Sequence, residues 1–231
     1  MNDKEQQNFI GQMMAAMSKQ DKERKAERFR ELNVLAKKGQ IVFAGSSLME
    51  QFPIYEFLLD QDLPCTIYNR GIGGYTTSEL SETLDACVLD LKPSAVFLNI
   101  GTNDMNGNDY VLSEFLGRYE QIVRRILQEL PDVKLYLLAF YPVNQDAAPD
   151  EMTREAFRYR TNERVREANG EIRALAAKYQ AEYLDLNKEI TDENGNLYRE
   201  LTLDGIHMHV EGYRRVMKKL VPVLQELASL C

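Results

Sequence analysis

The sequence is poor in histidine and cysteine, and it has no long run of apolar residues. Its three cysteines, Cys65, Cys87 and Cys231, are odd in number and widely spaced, so they indicate neither a disulfide framework nor a zinc site. No segment approaches the roughly 18–20 consecutive apolar residues that span a bilayer. We therefore expect no membrane span, and we expect the cysteines to be reduced, mostly packed thiols.

Basic clusters are also missing from the sequence. Acidic residues outnumber basic ones by 36 to 28, the formal net charge is −8, and Lys and Arg are interspersed with Glu. Nucleic acid is therefore not an expected partner, because its binding usually requires a segregated basic patch. The N-terminus, MNDKEQQNF, lacks the basic and apolar regions of a secretory signal, so we expect a cytoplasmic protein.

Residues 1–39 have the pattern of a helical extension. They are rich in Gln, Met, Lys and Glu, and their apolar residues recur at helical spacing before Gly39. One or two helices are predicted here, packing on the core or on a partner subunit, and the Met-bearing stripe suggests a homodimer. The apolar residues of this pattern are Phe9, Ile10, Met13, Met14, Met17, Phe29, Leu32 and Leu35.

Residues 40–231 alternate short apolar runs with longer amphipathic segments, which predicts one α/β domain with a parallel sheet covered on both faces. The five strand candidates are Ile41–Ala44, Thr66–Tyr68, Ala95–Ile100, Val133–Phe140 and Ala181–Leu186. Helices are predicted at about 77–91, 111–130, 150–179 and 211–229. Because ligands of such sheets bind beyond the carboxyl ends of the strands, residues just after each strand are candidates for the site.

Histidine gives the strongest constraint on the chemistry. Only His207 and His209 can supply a base with a pKa near neutrality. Asp204 precedes His207 by three residues, a spacing that lets its carboxylate reach the imidazole within one turn and fix the tautomer. Asp204 and His207 are therefore a candidate orienting acid and base, although a surface Asp beside a structural His would give the same spacing.

Ser47 is the candidate nucleophile. It follows the first predicted strand, comes two residues after Gly45 and is placed to open a helix, whose N-terminus favours negative charge on a hydroxyl. Taken alone, the pattern also fits a purely structural role in which Ser46 or Ser47 caps the N-terminus of the helix. Gly74 and Asn103 follow the next two strands and offer a backbone N–H and a side-chain amide for an oxyanion, although each also fits an ordinary turn.

Four short blocks in order resemble the SGNH, or GDSL-type, esterase and lipase superfamily, including its platelet-activating-factor-acetylhydrolase-like members. The blocks are Gly45-Ser46-Ser47-Leu48, Gly73-Gly74, Gly101-Thr102-Asn103-Asp104 and Asp204-Gly205-Ile206-His207, and Gly212-Tyr213 also fits. The resemblance implies a flavodoxin-like three-layer α/β/α sandwich with a central five-stranded parallel sheet. It runs from about residue 41 to 217.

The resemblance also implies a role for each residue in the hydrolysis of short acyl or acetyl esters. Ser47 would attack the acyl carbon, and His207, held by Asp204, would take the proton. The N–H groups of Ser47 and Gly74 and the Asn103 amide would bind the oxyanion. No metal or cofactor is implied, and the expected partner is a small-molecule ester.

Two residues depart from the family pattern. Ser46 stands where an Asp usually precedes the nucleophile, and Tyr75 stands where an Asp commonly follows the oxyanion glycine. Both changes affect loop hydrogen bonding and pocket polarity. We predict Ser46, Tyr75 and Asp104 as possible substrate-pocket residues; a Tyr75 ring that packs over the loop is the alternative.

Other hypotheses also fit parts of the sequence. Asp204, His207 and His209 resemble a short metal-ligand cluster, but there is no further His to complete a typical zinc set. The segment Gly71–Gly74 suggests nucleotide binding, but it does not match the pattern G-x-G-x-x-G. An ordinary α/β-hydrolase is also disfavoured, because no G-x-S-x-G elbow surrounds Ser47. An inactive relative that binds an acylated carbohydrate or lipid is the alternative to an enzyme.

Overall fold

Five parallel strands form one sheet in the order β2-β1-β3-β4-β5. The strands are β1 (Ile41–Gly45), β2 (Ile67–Gly71), β3 (Ala95–Asn99), β4 (Lys134–Leu138) and β5 (Glu182–Leu184). The two central strands, β1 and β3, are buried along their whole length, as expected for parallel strands covered on both faces. The structure is a computed structural model that describes residues 3–229, so Cys231 lies outside the described residues.

Helices cover both faces of the sheet. They are α1 (Asp3–Leu35), α2 (Ser47–Glu50), α3 (Ile54–Asp60), α4 (Thr77–Glu82), α5 (Leu84–Cys87), α6 (Leu112–Glu129), α7 (Glu151–Ala156), α8 (Asn162–Tyr179) and α9 (Val210–Ala228). Short 3-10 helices occupy Leu89–Leu91, Thr102–Asn106, Gln145–Ala147, Asn187–Glu189 and Arg199–Leu201. No helix within residues 3–229 has an apolar stretch long enough to traverse a bilayer.

The sheet separates two apolar cores, because successive strand residues point to opposite faces. On one face, Val42 and Val96 pack with side chains of α1, α4, α5, α6 and α8. On the other face, Phe43 and Phe97 pack with side chains of α2, α3 and α9. This arrangement confirms the predicted three-layer α/β/α sandwich with a central five-stranded parallel sheet.

The helix α1 is a single helix of 33 residues, where the sequence pattern allowed one or two. Its second half lies on the domain, with Ala26 and Asn33 buried. Residues 8–20 are exposed. The chain then turns at Gly39, which has a φ of +77°, and enters β1.

Two predicted helices are interrupted in the structure. The segment 77–91 divides at Thr83, whose backbone is not helical and whose hydroxyl donates to the Glu79 carbonyl oxygen, competing with the helix ladder. The segment 150–179 divides before Thr161, which caps α8 by accepting from the Arg164 N–H. The sequence pattern also did not predict α3.

Candidate active site

The carboxyl ends of the neighbouring strands β2, β1 and β3 lie side by side. Gly45 at the end of β1 is in register with Gly71 of β2 and with Asn99 of β3. The segments that follow these strands therefore start at the same edge of the sheet. This register brings the predicted site segments after β1, β2 and β3 together, as the rule for parallel sheets predicts.

Ser47 is the first residue of α2, directly after the turn that ends β1. A Cβ on Gly45 would overlap the carbonyl oxygen of Asn99, so this turn requires glycine. The Ser46 carbonyl oxygen accepts from Met49 and Glu50, which closes α2 immediately after the strand. Ser47 is partly exposed as a result, although both neighbours are buried.

Asp204 and His207 lie in a tight loop that precedes α9. The Thr202 hydroxyl donates to the His207 carbonyl oxygen at 2.8 Å and accepts from the Gly205 N–H at 2.8 Å. One Asp204 oxygen accepts from the N–H groups of Ile206 and His207. These contacts therefore fix the backbone of His207 next to the Asp204 carboxylate.

A chain of hydrogen bonds joins Asp204, His207 and Ser47. The second Asp204 oxygen lies 2.7 Å from His207 Nδ1, and His207 Nε2 lies 2.8 Å from Ser47 Oγ. Because a carboxylate only accepts, the neutral ring carries its hydrogen on Nδ1, which leaves Nε2 to accept from the Ser47 hydroxyl. This is the tautomer that a general base for Ser47 requires.

The Asp204 carboxyl group is strongly acidic. Partial burial raises its pKa, but hydrogen bonds from the His207 side chain and from the N–H groups of His207 and Ile206 outweigh burial and hold the pKa at about 2. Asp204 is therefore a carboxylate at any pH near neutrality, and its negative charge faces the imidazole.

Two backbone N–H groups near the Ser47 side chain make no hydrogen bond to the described residues. The N–H groups of Ser47 and Gly74 have no hydrogen-bond acceptor within residues 3–229. A Cβ built on Gly73 would lie 3.9 Å from the Ser47 Cβ, so the Gly73-Gly74 turn passes directly by the hydroxyl-bearing side chain. Both N–H groups therefore remain candidates for the predicted oxyanion donors.

Asn103 joins the same turn through its side-chain amide. Its Nδ2 donates to the Tyr75 carbonyl oxygen at 2.9 Å, and its Oδ1 accepts from Arg160 Nη2 at 2.6 Å. The Arg160 contact fixes which end of the amide faces the turn, and the second Nδ2 hydrogen has no acceptor in the part of the chain that the structure describes. Burial lowers the pKa of Arg160 to about 10 while the Asp204 charge raises it, so the guanidinium is cationic at neutral pH.

The predicted pocket residues Ser46, Tyr75 and Asp104 have buried side chains. Ser46 is 1% exposed and Tyr75 is 3% exposed. The Asp104 carboxylate accepts from the Thr77 N–H and hydroxyl and contacts Arg118. A substrate can reach these side chains only if their neighbours move, and Asp104 instead joins the segment after β3 to α4.

The second histidine and the Gly-Tyr pair have different places. His209 is exposed at the N-terminus of α9. Tyr213 is buried and donates to the Leu48 carbonyl oxygen, which joins α9 to α2 and so helps to place His207 beside Ser47. Within residues 3–229, no three His, Cys, Asp or Glu side chains are grouped so that they could hold a metal ion.

Three residues at this site were not predicted from the sequence. Arg160 contacts Asn103, Glu50 accepts from the Gly73 N–H at 2.9 Å, and Lys22 of α1 donates to the Gly74 carbonyl oxygen at 2.8 Å. All three are charged residues in or next to helices, where most charged side chains are solvated. No local signal in the sequence distinguishes them, because each meets its partner through the tertiary fold.

Comparison with known proteins places these features in a family context. The profile of the GDSL-like Lipase/Acylhydrolase family matches residues 43–215. The platelet-activating factor acetylhydrolase IB subunit alpha1 of Bos taurus is 27% identical over 194 residues, which make up 84% of this chain and 78% of that protein. The family profile therefore spans the segments that carry Ser47, Gly74, Asn103, Asp204 and His207.

Solved structures show the same similarity in fold. One solved structure is that of a Streptococcus pneumonia protein that carries the name platelet activating factor. It has a TM-score of 0.83 and 31% sequence identity to this chain, and the match covers 94% of this chain and 99% of that one. A GDSL-like lipase from Bacteroides thetaiotaomicron VPI-5482 has a TM-score of 0.71 and 22% identity and covers 88% of this chain and 98% of its own. Both similarities extend over most of each chain.

Proposed function

This chain belongs to the GDSL-like lipase/acylhydrolase family and is a hydrolase, and from that premise we propose that it cleaves short acyl or acetyl esters by a serine mechanism. The observation that carries the proposal is the hydrogen-bonded chain from Asp204 through His207 to Ser47. Ser47 and His207 are 160 residues apart in the sequence. Their contact therefore depends on the whole fold rather than on a local turn.

In the first step, Ser47 Oγ attacks the acyl carbon while His207 Nε2 takes the hydroxyl proton. The Asp204 carboxylate stabilises the imidazolium that forms and keeps the ring oriented. The tetrahedral intermediate then expels the alcohol, which receives the proton from His207 Nε2, and an acyl group remains on Ser47. Water repeats the sequence with His207 as base, which releases the carboxylic acid and restores the free hydroxyl.

The oxyanion of each tetrahedral intermediate would lie against the N–H groups of Ser47 and Gly74 and the free hydrogen of Asn103 Nδ2. Open donors that are already oriented stabilise such charge without reorganisation. Arg160 positions the Asn103 amide, and its charge increases the polarity of the amide that it contacts. Ser46, Tyr75 and Asp104 would then act by packing and by holding loops rather than by contacting the substrate.

The preference for short acyl groups is supported by the name of the Bos taurus relative, an acetylhydrolase. The alcohol part would be a carbohydrate or a small lipid-like alcohol. We also propose that residues 40–231 are the catalytic domain, that residues 1–39 are a helical extension, and that the chain forms a homodimer.

The decisive experiment measures hydrolysis of p-nitrophenyl esters of increasing chain length by the wild type and by Ser47→Ala. We expect turnover of the acetate and butyrate esters, a decline for longer chains, and a loss of about 10⁴-fold or more in the variant. The matched control is Ser46→Ala, which changes the neighbouring serine and retains the nucleophile. Full turnover by Ser47→Ala would show that the mechanism is wrong.

Covalent labelling separates an enzyme from an inactive binding protein. A fluorophosphonate reacts with an activated serine, so the wild type should gain one phosphonyl group on Ser47. The Ser47→Ala variant should remain unlabelled under the same conditions. A wild-type protein that binds esters but neither labels nor turns over would be a binding module.

A further inference from the structure

Two lysines of the N-terminal helix reach the turn that carries the proposed oxyanion donor. Lys22 Nζ donates to the Gly74 carbonyl oxygen at 2.8 Å and to Glu79 Oε1 at 2.8 Å. Lys25 Nζ lies 2.8 Å from Glu50 Oε1, and the other oxygen of Glu50 accepts from the Gly73 N–H at 2.9 Å. The helix α1 therefore contacts this turn directly and through α2.

The two contacts flank the peptide group whose N–H is open. That group joins Gly73 to Gly74; Glu50 holds the N–H before it, and Lys22 holds the carbonyl after it. Two successive glycines give the most flexible backbone available, and Gly74 has a φ of +74°. Without outside contacts, this peptide group could rotate and its N–H would leave the position beside Ser47.

The Lys22 side chain is held in place, unlike most lysines. It is 17% exposed, and its ammonium group lies 5.8 Å from the centre of the Tyr75 ring. Glu79, its ion-pair partner, also accepts from the Thr76 N–H and hydroxyl at the start of α4. Lys22 is therefore part of a partly buried network rather than a solvated surface charge.

The helix that carries Lys22 is itself anchored to the domain. Asn33 is buried, donates to the Ala86 carbonyl oxygen and accepts from the Arg70 guanidinium group. The Arg70 guanidinium lies 4.7 Å from the centre of the Phe29 ring. These contacts fix the second half of α1, and with it the distance from Lys22 to Gly74.

We propose that α1 is a positioning element of the active site, in which Lys22, assisted by Lys25 through Glu50, holds the Gly73-Gly74 turn so that the Gly74 N–H faces the oxyanion. This inference rests on the proposed function. Lys22 touches neither the substrate nor the reacting atoms. Its loss should therefore reduce stabilisation of the transition state and leave binding of the ground-state ester nearly unchanged.

The test compares Lys22→Met with Lys19→Met, using p-nitrophenyl acetate hydrolysis and fluorophosphonate labelling. Lys19 lies on the same helix, is 78% exposed and pairs with Glu23 at 3.9 Å, away from the Gly74 turn. We expect kcat and the labelling rate of Lys22→Met to fall about 10-fold, less than the 10²–10³-fold that loss of a whole oxyanion donor costs. The KM should change by less than about two-fold.

Further variants distinguish positioning from a general loss of stability. Lys22→Arg retains a donor and a positive charge and should recover most of the rate, whereas Lys25→Met should lose about three-fold because Glu50 still accepts from Gly73. If Lys22→Met unfolds, as thermal melting would reveal, the rate of Lys25→Met decides the question. Wild-type rates in that variant would then overturn the proposal.

The outcomes separate this inference from the proposed function. If the wild type hydrolyses esters and labels at Ser47 while Lys22→Met matches Lys19→Met in kcat, only the positioning role is wrong. If the wild type neither hydrolyses esters nor labels, the proposed function itself fails. A fall in kcat with constant KM, reversed in Lys22→Arg, would support both.

Discussion

Replacing the Asp204 carboxylate with an amide tests whether its negative charge orients the His207 ring. In Asp204→Asn, the amide oxygen can still accept from the Ile206 and His207 N–H groups, but an NH₂ group replaces the oxygen that faces His207 Nδ1. The ring then has to present Nδ1 as an acceptor, so its hydrogen moves to Nε2 and it cannot accept from Ser47. We expect kcat to fall roughly 10³–10⁴-fold with the fold intact, as ester hydrolysis and circular dichroism would show.

The matched control for this prediction is His209→Gln, because His209 is exposed and is the other histidine of the chain. Its turnover should remain within about three-fold of the wild type. Equal losses in the two variants would contradict the assignment of His207 as the base. Loss of folding in Asp204→Asn would instead show that the carboxylate is needed mainly for the loop.

The low pKa of Asp204 also fixes a pH dependence for stability. Its pKa is about 2 in the folded chain and about 4 in an unfolded chain. The Asp204 contribution to the free energy of unfolding is therefore complete above about pH 4 and is lost as the pH falls towards 2. The difference in stability between the wild type and Asp204→Asn should therefore shrink as the pH falls from 4 towards 2, as urea unfolding at each pH would measure.

At the scale of the elements, the loop before α9 depends on one glycine. Gly205 has a φ of +91°, and a Cβ there would overlap the Asn144 carbonyl oxygen, which is backbone and cannot easily move. Gly205→Ala should therefore lower the free energy of unfolding by roughly 3 kcal/mol or more, since steric overlap adds to backbone strain. Because this loop holds Asp204 and His207, kcat should fall in the same variant.

Gly195→Ala is the control for backbone strain without overlap. Gly195 has a φ of +82°, but the nearest atom to its Cβ would be the flexible Arg166 Nη1 at 3.6 Å. We expect a loss of only about 1 kcal/mol and an unchanged kcat. Urea unfolding and ester hydrolysis on both variants measure the difference, and equal losses of stability would refute the steric argument.

The elements differ in how well the sequence predicts them. The central strands were predicted within one residue at each end, because a fully buried parallel strand is a short apolar run with little else in it. The helices at 77–91 and 150–179 were predicted too long, because Thr83 ends α4 and Thr161 begins α8 through side-chain hydrogen bonds that helical periodicity does not show. The short helix α3 was missed because seven residues give too few turns for a clear pattern.

The same distinction applies to the site. Ser47, Gly74 and Asn103 lie in short motifs after strands, so the parallel sheet predicts their shared edge, whereas His207 lies in a motif before the last helix. Arg160 could not be predicted, because its burial follows from how the segment between α7 and α8 packs against Asn103. Lys22 and Glu50 also meet the Gly73-Gly74 turn only in the folded chain.

At the scale of the whole molecule, the site is assembled from segments that are far apart in the sequence. The parallel sheet places three of them at one edge, and α9 brings the fourth against α2 through the Tyr213 bond to Leu48. The two outer layers make different contributions to the site. On one face of the sheet α2 carries Ser47, and on the other face α1 contacts the Gly74 turn. Activity should therefore be sensitive to changes in both layers.

The first half of α1 gives the last prediction, a homodimer. Five apolar side chains lie along one side of it, each 43–62% exposed: Phe9, Ile10, Met13, Met14 and Met17. Their burial on both copies would remove roughly 1,000 Å² of surface from solvent, which is the lower limit for a specific interface.

We expect light scattering after size exclusion to give twice the chain mass of 26.6 kDa, and we expect Met13→Glu combined with Met17→Glu to give a monomer. Leu59→Glu, at an 80% exposed site on α3, makes the same kind of change elsewhere and should leave the dimer intact; a wild-type monomer would refute the prediction.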